Sequence, residues 1–188
     1  QTTAANQPKI YDGTTGVITE NGKPAVQNQN SSSELVATFN NALTAQSSFV
    51  AATFVYGAND RLISQNTGGP DYTGPSVFIP AYATTANSIS SLLGGAARSS
   101  VSVSENEHIL FSSVHTGSQL TNRVNGTTGS AYTHTLNMTF TRFGIGGTGG
   151  SVAEGWQGKI QEVITYSSDQ SDNRTDIEDN INTFYSIY

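Results

Sequence analysis

Along most of the chain, apolar residues come in short runs broken by clusters of Gly, Asn, Ser, Thr and Pro, and only once do they switch to helical spacing. That pattern predicts many short strands and a single helix. The helix lies at the end, where Ile177, Ile181, Phe184, Tyr185 and Tyr188 recur at offsets of four, seven, eight and eleven. Those offsets share one stripe at 3.6 residues per turn and predict an amphipathic helix over about 171–186, anchored by Ile177, Ile181 and Phe184. Asp169, Asp172 and Asp176 crowd its start, where unpaired N–H groups favour negative charge, and Ser168 or Ser171 is placed to cap it.

Residues 159–166 form an apolar strand just before it. Alternation puts Glu162 between Ile160 and Ile164 on one face, so its carboxylate is expected to point toward an apolar layer. Such a charge needs hydrogen-bond partners, which makes Glu162 a structural anchor rather than a catalytic acid. Residues 49–56 are apolar on both faces, the pattern of a central strand covered on two sides. Asn21-Gly22 and Asn125-Gly126 predict tight hairpins. Further strands are expected at 61–65, 76–79, 99–104, 107–114, 119–124 and 133–141. Residues 35–39 read equally as a strand or one helical turn. Residues 66–75 form a turn-rich insertion, 83–97 are weakly patterned around a bend at Gly94-Gly95, and the glycines of 144–150 suit a bend better than a phosphate loop.

Composition narrows the class. A chain of 188 residues fits one domain that buries roughly 70% of its unfolded surface. Only 12% of residues are charged, and the turn-rich remainder favours an all-β, two-sheet antiparallel sandwich closed by one C-terminal helix. The absence of cysteine excludes disulfides, thiolate metal sites and a Cys nucleophile. A net charge of −6 with eight scattered Lys and Arg gives no footprint for nucleic acid. No apolar run is long enough for membrane insertion.

The glycine-flanked Trp156, the run KIQEVITY and the run IEDNINTFY together resemble the end of laminin-G-like domains with the concanavalin A-like jelly-roll fold, in their bacterial and phage branch. QPKIYDGTTGVITENGKPAV over 7–26, FVAATFVY over 49–56, Val124-Asn125-Gly126 and Phe143-Gly144-Ile145-Gly146 agree in order. Such domains open with a strand before the Q-P-x-I piece, whereas this chain begins at Gln1. Residues 1–188 are therefore expected to be a single domain from the C-terminal part of a longer chain, lacking its first strand.

The resemblance implies a non-enzymatic binding or decoration domain of a phage virion structural protein, on a virion or cell surface, that takes a glycan or a surface receptor. Other virion or surface-protein subunits are the implied neighbours, and homo-oligomers are allowed. The alternatives are a secreted bacterial adhesin, a glycoside hydrolase of the same fold, or a ligand-free lattice module coupled through an open edge strand. Hydrolases of this fold mount E-x-D-x-x-E on a strand, which sets two acids about 6 to 7 Å apart on one face. Here Glu105-Asn106-Glu107 comes nearest, and Leu110 stands where the third acid belongs, so a loop edge is expected. His108, His115 and His134 lack metal-ligand spacing. No cofactor is required, although the family resemblance admits calcium, for which Asp60, Asp71 and Asn125 are loop oxygens of the right kind. The aromatics Tyr72, Tyr82, Tyr132 and Trp156 are candidates to stack on a sugar. Trp156, which precedes a core strand between two glycines, is expected to pack in the core rather than to contact a ligand.

Overall fold

A computed structural model of the chain describes residues 4–28, 30–57, 60–66, 78–147 and 154–188. After a short 3-10 turn at Ala4–Asn6, the elements are β1 (Thr19–Glu20), β2 (Lys23–Pro24), β3 (Val26–Gln27), β4 (Leu35–Leu43), β5 (Gln46–Thr53), β6 (Arg61–Asn66), β7 (Phe78–Thr85) and β8 (Ser88–Leu93). Then come β9 (Ala96–Ser102), β10 (His108–His115), β11 (Gln119–Val124), β12 (Thr127–Thr128), β13 (Tyr132–Thr133), β14 (Met138–Ile145), β15 (Lys159–Tyr166) and α1 (Arg174–Tyr185). One sheet runs β12-β11-β10-β5-β15-β3, with β13 also on β11, and the other runs β4-β14-β6-β7-β8-β9. Pairings between these strands are antiparallel, and the two sheets stack as a jelly-roll sandwich.

Strand β5 explains its own sequence. Val50 and Ala52 join Phe111, Ile63 and Ile89 between the sheets, while Phe49 and Ala51 on its other face lie under Ile181 and Tyr185 of α1. Both faces are covered, so both are apolar. Trp156 is fully buried, edge-on to Phe54, and its indole N–H donates to Thr53 O at 3.1 Å. Its neighbouring glycines allow that approach: a Cβ on Gly155 would lie 2.6 Å from Ser31 O, and one on Gly158 would collide with Thr53 O. Of the two roles open to Trp156, the structure assigns packing.

The expected hairpins form, with Asn21 and Gly22 at φ 46° and 72° and Asn125 and Gly126 at 48° and 77°. Residues 35–39 belong to a strand. The weakly patterned 83–97 holds most of a β8–β9 hairpin, with Gly94 and Gly95 at φ 61° and 77° as its turn. The strand expected over 133–141 is displaced: β13 ends at Thr133 and β14 begins at Met138, running through Gly144 to Ile145. Gly144 is therefore strand, paired with Val36 and Ser64.

Three expectations about the C-terminal unit need correction. The helix starts at Arg174, later than 171, with Asn173 at the N-cap and no side-chain cap bond. Neither Ser168 nor Ser171 caps it, because Ser47 Oγ holds Ser168 O and Gln170 N in a separate turn. Second, Phe184 is 55% exposed, with Lys23 Nζ 4.2 Å above its ring. The buried line of α1 runs through Glu178, Ile181 and Tyr185, which rotates Phe184 to the rim and leaves Ile177 half-buried. Third, a bulge in the β15–β5 pairing separates Ile160 from Glu162. Ile160 points between the sheets, whereas Glu162 lies on the helix side with Ile164, half-buried, and burial raises its pKa.

Glu178 is the polar lock of this layer. It is 4% exposed, accepts the Ser112 hydroxyl at 2.5 Å and pairs with Arg174 one turn earlier. Replacing it by Ala leaves the Ser112 hydroxyl unmatched at a buried interface and takes the carboxylate partner from Arg174. Urea denaturation of Glu178→Ala is expected to show a loss of about 2 to 3 kcal/mol, against under about 1 kcal/mol for Phe184→Ala at the rim.

Candidate functional site

Among the described residues, β3 pairs with the edge of β15 only at Lys159 and Ile160, and β4, the facing edge of the other sheet, is paired on one side to β14. Between these edges lies a cleft of about 330 Å³, bordered by Ala37 and Leu43 of β4, Gln65 of β6, Phe143 of β14, Gln46 of β5, Thr165 of β15 and Ser167 just beyond it. A smaller cavity of about 200 Å³ includes Asn28, Leu35, Ile145, Ile160 and Glu162 in its lining. At that end the Asn28 amide donates to Gly146 O at 2.9 Å and Trp156 O at 2.7 Å, which fixes the floor.

Register puts the polar groups in the larger cleft. Gln65 pairs opposite Phe143, and Phe143 packs on the core between the sheets, so both face inward. Gln46 opens β5, and its Nε2 donates to Ser48 Oγ at 3.1 Å, which in turn lies 3.2 Å from Thr165 Oγ1. Both glutamines are 1% exposed, and the Oε1 of each has no hydrogen-bond partner among the described residues. The residues lining this space thus include two buried glutamines, Thr165, Ser167 and one aromatic residue, and none of these is charged. Sequence reasoning missed this set. Its only trace is a glutamine inside each of two otherwise buried strands.

The residues singled out from the sequence lie elsewhere. Tyr72 and Asp71 fall outside the described residues. Tyr82 is buried on β7 against Leu92, with its pKa raised by that burial. Tyr132 is half-buried, with the Arg98 guanidinium 4.4 Å over its ring and His134 stacked at 6.3 Å. Asn125 is occupied by its hairpin: Oδ1 accepts Leu110 N at 2.8 Å and Nδ2 donates to Glu107 at 3.0 Å. Asp60 is buried beside Gly57 and the Arg61–Glu154 ion pair of 2.5 Å. Among the described residues no three His, Asp or Glu side chains are grouped to hold a metal ion. Glu105 accepts Tyr56 N at 3.1 Å and Glu107 accepts Ser104 N at 2.8 Å, so both acids tie down turns. No helix among the described residues is long and apolar enough to cross a membrane.

His115 and His134 do meet, although seven and nineteen residues separate the three histidines in sequence. Gly117 N donates to His115 Nδ1 at 3.1 Å, which leaves the proton of neutral His115 on Nε2, facing His134 Nδ1 at 3.3 Å. Burial, and secondarily His134, pushes His115 down to about 4.

No family model matches the chain, and no curated protein matches its sequence. Solved structures do. A Trypanosoma rangeli sialidase in complex with the inhibitor DANA superposes with a TM-score of 0.60 at 12% identity, over 86% of this chain and 27% of the sialidase. The CBM40 of a Ruminococcus gnavus IT-sialidase bound to alpha2,3 sialyllactose gives 0.56 at 18% identity, over 71% of this chain and 80% of the module. The native heptameric SAP-like pentraxin of Limulus polyphemus gives 0.57 at 12%, over 83% and 76%. The fold is concanavalin A-like. The chain spans about a quarter of the sialidase, and identities this low establish architecture alone.

Two buried groups pull stability in opposite directions with pH. Burial raises the Asp60 carboxyl from 3.8 to about 6. Between those values the folded chain holds a proton that the unfolded chain has released, so stability from this group falls as pH rises. For His115, between about 4 and 6.5, the unfolded chain holds the extra proton, so stability rises with pH. Asp60→Asn removes only the first effect. Its thermal midpoint, followed by circular dichroism, is expected to climb more steeply from pH 4 to 6.5 than that of the parent chain.

Proposed function

We propose that this chain is a non-enzymatic, laminin-G-like binding domain for glycans, displayed on the outside of a particle or cell. The observation that carries this reading is the cleft between the sheet edges: Thr165, Ser167 and Phe143 line a space near the lower end of ligand-site volumes, and hydroxyls beside an aromatic side chain are groups that sugars use. None of the described residues lining it is a carboxylate, the group a glycoside hydrolase uses as acid and as nucleophile. Two structural neighbours, the sialidase and the CBM40, are described with sugar-like ligands, which supports the reading. Display on a virion, alone or as an assembled decoration, rests on the resemblance of residues 7–26.

A second reading, a structural module without ligand, is favoured by one observation: β15 offers its edge beyond Ile160 to a neighbour's strand. A glycan array probed with the intact chain, together with an assay for released reducing ends, separates these functions. Binding without hydrolysis is the expected result. Hydrolysis would replace the proposal with an enzyme, and concentration-dependent assembly with an empty array would favour the structural module.

A further inference from the structure

Sheet pairing is unfinished along β15. The β1–β2 hairpin is tied to one end of it, where Gln161 Nε2 donates to Glu20 O at 2.9 Å and Lys23 O at 3.3 Å. From Glu162 to Tyr166 no described strand pairs on the side away from β5. We propose that this edge receives an extended segment of a partner protein, antiparallel to β15, with apolar residues at alternate positions and a lysine or arginine across from Glu162. It builds on the backbone edge of β15 and does not depend on a sugar in the cleft.

Main-chain pairing supplies the affinity. An edge presents N–H and C=O groups at alternate residues, and an added strand satisfies them as β3 does at Ile160. Both described neighbours of β15 run antiparallel to it, which sets the direction.

Alternation sets the apolar positions. Val163 packs on the core between the sheets and Thr165 borders the larger cleft. Glu162, paired with Ala51, shares the helix side with Ile164 and Tyr166. Residues across from each other in an antiparallel pair share a face. Those across from Val163 and Thr165 therefore enter the gap between the sheets, toward Leu35, Ile145 and Phe143. Leu35, at the rim of the smaller cavity, is 46% exposed, and a strand laid along β15 shields it from water. The same strand passes over Thr165, so it and a sugar in the larger cleft exclude each other.

Charge sets the remaining position. Glu162 is half-buried, makes no ion pair among the described residues, and has its pKa raised by burial alone. A cation directly across from it supplies the counter-charge, and opposite charges in that relation stabilise a sheet. A second copy of this chain fits less well. Pairing β15 with itself about Ile164 sets Glu162 across from Tyr166, which leaves the carboxylate without a cation, and two chains of net charge −6 repel.

The test is titration of the intact chain with a capped six-residue peptide, Val-Thr-Val-Thr-Val-Lys, whose lysine falls across from Glu162 and whose valines fall across from Val163, Thr165 and Ser167. Saturable amide NMR shifts along residues 162–166 are expected. Two further peptides, one N-methylated at the valines and one at the other residues, block opposite edges of the probe. One of them is expected to bind and the other to fail, since only one edge faces β15. Glu162→Gln should weaken the parent peptide about two- to fivefold. Norleucine in place of the peptide's lysine should do the same to the unaltered chain, which keeps the test valid if the variant folds poorly. No shifts along the edge, equal behaviour of the two methylated peptides, indifference to the lysine, or dimerisation of the chain through residues 162–166 in sedimentation would each overturn the proposal. A glycan array run without peptide reports on the sugar site separately, so either proposal can fail while the other stands.

Discussion

The double burial of β5 is the constraint on which the rest depends. A strand covered on one face needs alternate apolar residues, whereas this one is pressed between the opposing sheet and the terminal helix. Its neighbours β10 and β15 are held in register by it, and through them the helix and the β11 hairpin find their places. Glu178 works within that arrangement: its bond to Ser112 of β10 fixes how the helix lies across the sheet. Burying a charged group there is tolerated because both carboxylate oxygens are matched.

The candidate site follows from what the same sandwich leaves uncovered. Where β3 stops after two paired residues, the edges of β15 and β4 remain apart and the inward side chains of both sheets line a cleft. Thr165 and Ser167 are exposed at its mouth, while Gln46 and Gln65 lie buried behind it. Gln46 and Gln65 belong to strands whose other residues are largely buried.

How much of this could be read from residues alone depends on whether the signal was local. The central strand, both Asn-Gly hairpins and the terminal helix were legible because each is written in a short stretch of pattern or turn chemistry. The bulge at Gln161 was not, since it depends on how β15 meets β5 and reverses the face of Glu162 relative to Ile160. Phe184 misled because its spacing fits the apolar stripe, while a buried Glu178 shifts the true centre of that stripe. The cleft was invisible for a related reason: Gln46 and Gln65 are nineteen positions apart in sequence, on different sheets, and only the stacking of those sheets makes them neighbours. Aromatic loop residues drew the eye instead, yet Trp156 and Tyr82 are part of the packing.

The wiring of the first sheet also bears on how the molecule comes into being. Phe49 lies between Ser112 and Ile164, both far downstream, and Asn21 donates to the carbonyl of Ser186 at 2.8 Å. Contacts so distant along the chain require large loops to close before any reward is gained, which slows the search for the native state. During synthesis β4 has no partner strand until β14 is made, and β5 lacks its second until β15 follows. A chaperone, or rapid association with an already folded neighbour, would shield them in that interval.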